Sequence, residues 1–315
     1  MQNLGSTKLA KPLQAEVVKT NDFTEGVRKI IEGTGRGVPP IMELQGQGYE
    51  FFKKQLALYC PLLDICTVHS DLDLANIHFF GDPKTDYTTL YRSADGAVEW
   101  FPQSGTLSGP TVAQFTEADQ SAYMVVAALR FSRKIITDYG KGLENSALKN
   151  FARLLGQRIQ LAILYGAGSD SDPVTGLYNI SGLTQTGYSS NVYNELVDGI
   201  KALRDAGVNV NAACISPREA ATLWKTSGFD RGPIFIGDTP AVICNKIPID
   251  IGGYAQSFAL AGDFTSAVLM MPGGLRILKD PYTRFTQNDT QFVAQLWFGL
   301  SVESIADFRC LDLIT

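Results

Sequence analysis

The side chains best suited to chemistry are few. Two histidines, His69 and His78, sit nine positions apart, off the helical spacing at which imidazoles converge on a metal, so no metal site is expected from them. Asp71 with Asp73, and Asp170 with Asp172, have the alternation of a calcium-loop fragment. Neither pair continues into the glycine and distal glutamate that complete such a loop, and turn or cap acids are the expectation. The run Gly33-Thr34-Gly35-Arg36-Gly37 lacks the third glycine of a dinucleotide fingerprint and follows no apolar strand. The chain has neither a P-loop signature nor a nucleophile elbow. A serine nucleophile has little histidine to draw on, which leaves paired carboxylates as the acid–base option and a hydrolytic enzyme as the lesser alternative. The five cysteines, Cys60, Cys66, Cys214, Cys244 and Cys310, are odd in number and form no CxxC pair. Buried, reduced thiols are therefore expected rather than a zinc ribbon or a redox motif. No catalytic, cofactor-binding or metal-binding residue is assigned.

One element dominates the scaffold that must position everything else. In KGLENSALKNFARLLGQRIQLAILYGAG, which begins at Lys141, the residues Leu148, Phe151, Leu155 and Ile159, continued by Ala162 and Ile163, recur every three or four positions as one apolar stripe. Lys149, Asn150, Arg153, Gln157, Arg158 and Gln160 fall mostly between them. No proline interrupts 143–165, so roughly 23 residues at ~1.5 Å each form a rod of roughly 34 Å. Gly166 and Gly168 are expected to end it through the left-handed C-terminal cap that glycine adopts at least cost.

The turn that follows is YGAG, an acidic polar spacer, then DPVTGLY. It resembles the stretch that closes the long spine helix of tailed-bacteriophage major capsid proteins, with Gly166, Gly168, Pro173, Gly176 and Leu177 in the places of that family's glycine-rich segment.

Composition bounds the reading further. A chain of 315 residues holds a sizeable core and two sub-domains. Only 19% of residues are charged, below the ordinary usage of about 25%, which suits a surface covered extensively by neighbours. A net charge of −5 argues against a face that grips nucleic acid by neutralising phosphates. No apolar run approaches the roughly 18 residues that span a bilayer. The polar start at Met1 carries no signal-peptide pattern, which implies synthesis inside the cell and no propeptide removed from this chain.

Along the chain, 1–40 reads as a polar arm with one short helix near 23–31, expected to be mobile on its own. An amphipathic helix over 49–59 is broken at Pro61. From 79 to 115, β-favouring residues alternate with turn pairs such as Asp82-Pro83, Asp95-Gly96 and Gly109-Pro110, which predicts an extended hairpin with little core of its own. Phage capsid proteins carry such a hairpin, the E-loop, at this place, and Ala94-Asp95-Gly96-Ala97-Val98-Glu99-Trp100 resembles its acidic, small and aromatic segment. Two strands separated by a kink, 114–116 and 122–132, then a short helix at 133–139, lead into the long helix. Later come a helix marked by Val192, Leu196, Ile200 and Leu203 and ending at Gly207, and a strand over 208–215. Next is a helix opened by Ser216-Pro217-Arg218-Glu219 with a capping box, then strands at 241–244 and 247–251. Ala261-Gly262-Asp263-Phe264 resembles the family's exit from its axial domain. Strands at 267–271 and 275–279 and a long strand at 291–298 complete the pattern.

The resemblance covers about residues 79–305. It implies an α+β shell fold with a peripheral domain in which the spine helix packs on a β-sheet, an axial α/β domain over 181–262, an E-loop over 79–115 and an N-terminal arm over 1–40. Residues 41–78, 116–180 and 263–315 would supply the peripheral domain. The implied function is a major capsid protein of a tailed phage or prophage, self-assembling into hexamers and pentamers of an icosahedral shell around double-stranded DNA. An encapsulin-type nanocompartment is the alternative. Implied partners are further copies of the chain, a portal protein, a separate scaffold protein, a decoration protein, and packaged DNA held without sequence-specific binding. No membrane and no cofactor are involved, and the product is located in the virion after synthesis in the host cytoplasm. Tyr87, Tyr91, Trp100 and Phe101 are the expected aromatic anchors between subunits, and Arg92, Glu99, Arg130 and Asp138 the expected ion-pairing residues. Some members cross-link a hairpin lysine to a neighbour's asparagine with the help of a glutamate. Lys84 and Asn288 stand in corresponding places, but Gln291, Ala294 and Gln295 occur where the glutamate is expected, so non-covalent locking is expected.

Overall fold

The computed structural model describes residues 17–20, 41–44, 46–69, 84–94, 114–189, 191–226, 233–248, 256–272, 274–280 and 287–314. In chain order these form β1 (Val17–Thr20), β2 (Ile41–Leu44), α1 (Gly46–Ala57), β3 (Thr67–His69), β4 (Lys84–Ala94), β5 (Gln114–Ser132), α2 (Arg133–Tyr165), β6 (Ala167–Ser169) and β7 (Asp172–Thr175). There follow β8 (Thr184–Ser189), α3 (Val192–Asp205), β9 (Ala212–Ile215), α4 (Pro217–Thr226), β10 (Phe235–Ile236), β11 (Thr239–Ile243) and β12 (Gln256–Gly262). The last are β13 (Ala267–Met270), β14 (Leu275–Asp280), β15 (Asp289–Val302) and β16 (Phe308–Ile314). Two compact units result, the first drawn from Met1–Phe52, Val126–Phe151 and Gly274–Gln295, the second from Lys53–Val125, Ala152–Gly273 and Leu296–Thr315.

In the first unit, β1 runs parallel to β2, β2 antiparallel to β14, and β14 antiparallel to the first half of β15. The pairing Ile277↔Ala294 places two buried residues opposite each other, the cross-strand contact that fixes register where one face is buried. Phe292, on the same strand, meets Phe131 edge-on with ring centroids 5.8 Å apart. Ser132 opens α2 by accepting a hydrogen bond from the Ile135 amide at 3.3 Å. The Arg133 amide donates to the carbonyl of Asn288 at 3.0 Å. Asn288 itself is left-handed, with φ 56°, a conformation asparagine tolerates better than most side chains.

The second unit contains a sheet in the order β10-β11-β9-β12-β16-β8. Side chains alternate across it with period two. Ala213, Ile215, Ala259, Ala261 and Leu311 face one way, against Val192, Leu196, Ile200 and Leu203 of α3 and Ala220 and Leu223 of α4. The opposite face carries the register row Val242–Cys214–Leu260–Cys310 and Phe258, on which Tyr165 and Tyr178 stack at 6.1 and 4.5 Å. The end of α2 therefore seals the second face.

Sequence and structure differ in several places. The short helix and the long one are a single helix of 33 residues. Gly140 and Gly142 lie inside it, although a helical glycine costs about 1 kcal/mol relative to alanine. The stripe Leu148, Phe151, Leu155, Ile159, Ala162 and Ile163 is buried as expected. Gly168 has the positive φ of a left-handed residue (65°), whereas Gly166 does not. A Cβ on Gly166 would overlap the Val174 carbonyl oxygen and lie 2.7 Å from that of Ala162, so this glycine serves close approach. The two strands separated by a kink are one strand, β5, of 19 residues. Its first half is also the return strand of the hairpin, paired from Lys84↔Tyr123 to Ala94↔Gln114.

Strand β9 begins only at Ala212, because the Asn211 side chain instead clips the segment after β12. It donates to Asp263 Oδ1 and accepts from the Phe264 amide, both at 3.0 Å. The expected strand at 247–251 is not formed in its described part, where a turn places Ile247 N against Cys244 O. The capping box at α4 is half made. Ser216 Oγ accepts from the Arg218 and Glu219 amides at 3.2 and 3.4 Å, but the fully buried Glu219 carboxylate has no hydrogen-bond partner among the described residues. The helix at 23–31 lies outside the described residues.

Replacing Gly166 with alanine should destabilise the second unit by about 1–3 kcal/mol or more, because backbone oxygens rather than a flexible side chain must move. A thermal melt of the variant against the parent chain checks this.

Candidate assembly surfaces

The most prominent local feature is the β4–β5 hairpin. Its outgoing strand has 11 residues, so at ~3.4 Å per residue it extends about 35 Å. A register shift between Arg92 and Ala94 marks a bulge near its far end, the device that bends a ribbon and ends pairing. Tyr87, Tyr91 and Arg92 lie on β4 opposite Gln120, Thr116 and Phe115. Glu99, Trp100 and Phe101 lie outside the described residues, as do His78, Asp71 and Asp73. Lys84 opens β4 and Asn288 precedes β15.

Beyond the hairpin, β5 alternates strictly. Met124, Val126, Ala128 and Arg130 are exposed, while the residues between them are half-buried or buried. An exposed apolar ladder on a strand is unusual for a monomer and marks a surface awaiting cover. Arg130 at its end and Asp138 on α2 are both exposed, and neither makes an ion pair among the described residues. Sequence reading missed the exposed apolar residues Ile135 and Tyr139 on α2 and Phe235 on β10. The i, i+4 spacing of Ile135 and Tyr139 was a signal, hidden by treating 133–139 as a separate short helix.

The remaining reactive groups are structural. Asp172 pairs with Arg158 at 3.0 Å and accepts from the Ala167 amide at 3.3 Å, a turn acid as expected. All five cysteines are free and buried. Cys214 lies on β9 and Cys244 directly follows β11, its amide donating to the Ile215 carbonyl at 2.9 Å. Burial pushes the Cys66 thiol up to about 12 and also raises that of Cys214 well above its ordinary value, helped by its hydrogen bond with Cys244. Among the described residues no group of three His, Cys, Asp or Glu side chains is arranged to hold a metal, and no helix is long and apolar enough to cross a membrane.

The sequence from 72 to 311 matches the phage capsid family. The chain belongs to that family. No curated protein matches it in sequence, but solved structures carry the same fold. The capsid of an empty GTA particle is 19% identical, with a TM-score of 0.59 over 81% of this chain and 89% of the other. The subunit of the satellite phage P4 procapsid, solved with its size determination protein, is 8% identical, with a TM-score of 0.56 over 86% and 92%. The SrpI encapsulin of Synechococcus elongatus PCC 7942 is 12% identical, with a TM-score of 0.51 over 80% and 86%. The expected shell fold is thus the observed one. A phage capsid family member is a structural shell protein, not an enzyme, and the hydrolytic alternative falls away.

The raised thiols make a pH prediction. Below pH 9.0, the ordinary thiol value, folded and unfolded chains both hold the Cys66 proton. Above it the unfolded chain releases a proton that the folded chain keeps, so stability is lost progressively as pH rises toward the folded value. The melting temperature should therefore fall as pH rises from about 9 toward about 12, less steeply in a Cys66→Ala variant. Iodoacetamide should label none of the five cysteines until the chain is unfolded.

Proposed function

We propose that this capsid-family chain is the major capsid protein of a tailed phage or prophage and closes into an icosahedral shell around double-stranded DNA. The match of 72–311 to the phage capsid family is the observation that carries the reading. The spine helix and its sheet would form a peripheral domain, and the six-stranded unit with α3 and α4 an axial domain gathered near five-fold and six-fold axes. The hairpin would reach onto a neighbouring subunit, with Tyr87, Tyr91, Trp100 and Phe101 as anchors and Arg92, Glu99, Arg130 and Asp138 setting register. Repetition makes many weak contacts sufficient, and one sequence serves hexamers and pentamers by small changes in tilt. A scaffold protein, a portal and a decoration protein are the further partners of this reading.

The likeness to an encapsulin at 12% identity favours a second reading, a nanocompartment that encloses protein. Negative-stain electron microscopy of the purified chain, with absorbance at 260 and 280 nm, separates the readings. Closed shells, tubes or hexameric rings support assembly, and a co-purified cargo protein selects the encapsulin. A monodisperse monomer or dimer, unchanged by crowding or added scaffold, overturns both.

Replacing 95–113 with a short glycine-containing turn leaves the β4–β5 ladder able to form. The variant should keep its secondary structure by circular dichroism and yet sediment as small oligomers.

A further inference from the structure

We infer that the first two turns of α2 form a self-complementary contact between two copies of the chain across a two-fold axis. The inference rests on the shell reading above. Lys134 and Asp138 stand at i, i+4, and Ile135 and Tyr139 at i, i+4 directly beside them. All four are exposed, Ile135 by 41% and Tyr139 by 68%.

Two properties of this patch point to a copy of itself. First, lysine precedes the acid, the order less favoured for pairing along one helix, and the two make no ion pair among the described residues. Second, a two-fold axis exchanges positions, so that residue i meets residue j and j meets i. An antiparallel copy sets Lys134 against the partner's Asp138 twice, and Ile135 against the partner's Tyr139 twice. Both rows are i±4 ridges, and interdigitation of such ridges is the commonest mode of helix packing. The paired charges of the patch cancel, so it carries no bias toward a polyanion such as DNA. The start of α2 is also held rigidly, by the Ser132 cap and the Asn288 carbonyl, which lowers the ordering cost of docking.

The test is charge reversal in the full chain, read as the yield of closed shells by sedimentation and electron microscopy. Lys134→Asp and Asp138→Lys each place two like-charge contacts across the axis. Each should cut the yield about tenfold at low salt, with partial recovery at high salt. The double variant restores both pairs and should return the yield to within about twofold of the parent; with the melts of the unassembled subunits unchanged across the series, that rescue belongs to the contact between copies and not to repair of the i, i+4 pair within one helix. Melting of the unassembled subunits checks that each variant folds. Unaffected single variants overturn the proposal, and so do impaired singles that the double variant fails to rescue. Absence of shells from the parent chain overturns the capsid reading itself.

Discussion

A long helix that ends inside a protein must find donors for its last carbonyls, and the rest of the second unit depends on how α2 does so. Buried helix ends without partners are costly. Here the Gly166 amide continues the ladder to Ala162 at 3.2 Å, and the Asn179 side-chain amide donates to the carbonyls of Tyr165 and Gly166 at 3.2 and 2.8 Å. The Gly176 amide returns to the Gly166 carbonyl at 2.9 Å. Two chain segments meet there with no room for a Cβ on either glycine. That closeness brings Tyr165 and Tyr178 over Phe258 and lets the helix end cover one face of the sheet.

Once that face is covered, the alternation of the strands does the remaining work. Small and branched residues on β9 and β12 receive α3 and α4, while cysteines and phenylalanines fill the other side. The burial of five thiols follows from this arrangement. Each occupies the volume of a small apolar residue in a dry layer, without chemistry of its own.

Much of this was legible in the chain. The stripe from Leu148 to Ile163, the stop near Gly166, the serine at the start of α4 and the strands β13, β14 and β15 are strong local patterns, and the order of elements carried the family resemblance. What escaped depends on distant partners. Asn211 reads as part of a strand until Asp263 and Phe264 claim its side chain. β5 reads as two strands because nothing local shows that β4 pairs along its first half. β16, in a polar-to-apolar stretch at 308–314, has its partners in β12 and in β8, where Cys310 aligns with Gln185. The assembly residues are least legible of all, because an exposed isoleucine and a core isoleucine look alike until burial is known.

The place of β16 has a consequence for how the subunit comes into being. It lies between β12 and β8, one strand in from the edge of the sheet, so β8 cannot join the sheet until residues 308–314 are in place. Contacts over such separations are slow to close and leave strand edges open meanwhile. A chain without these residues would present unpaired edges on β12 and β8 where the complete sheet has a paired strand.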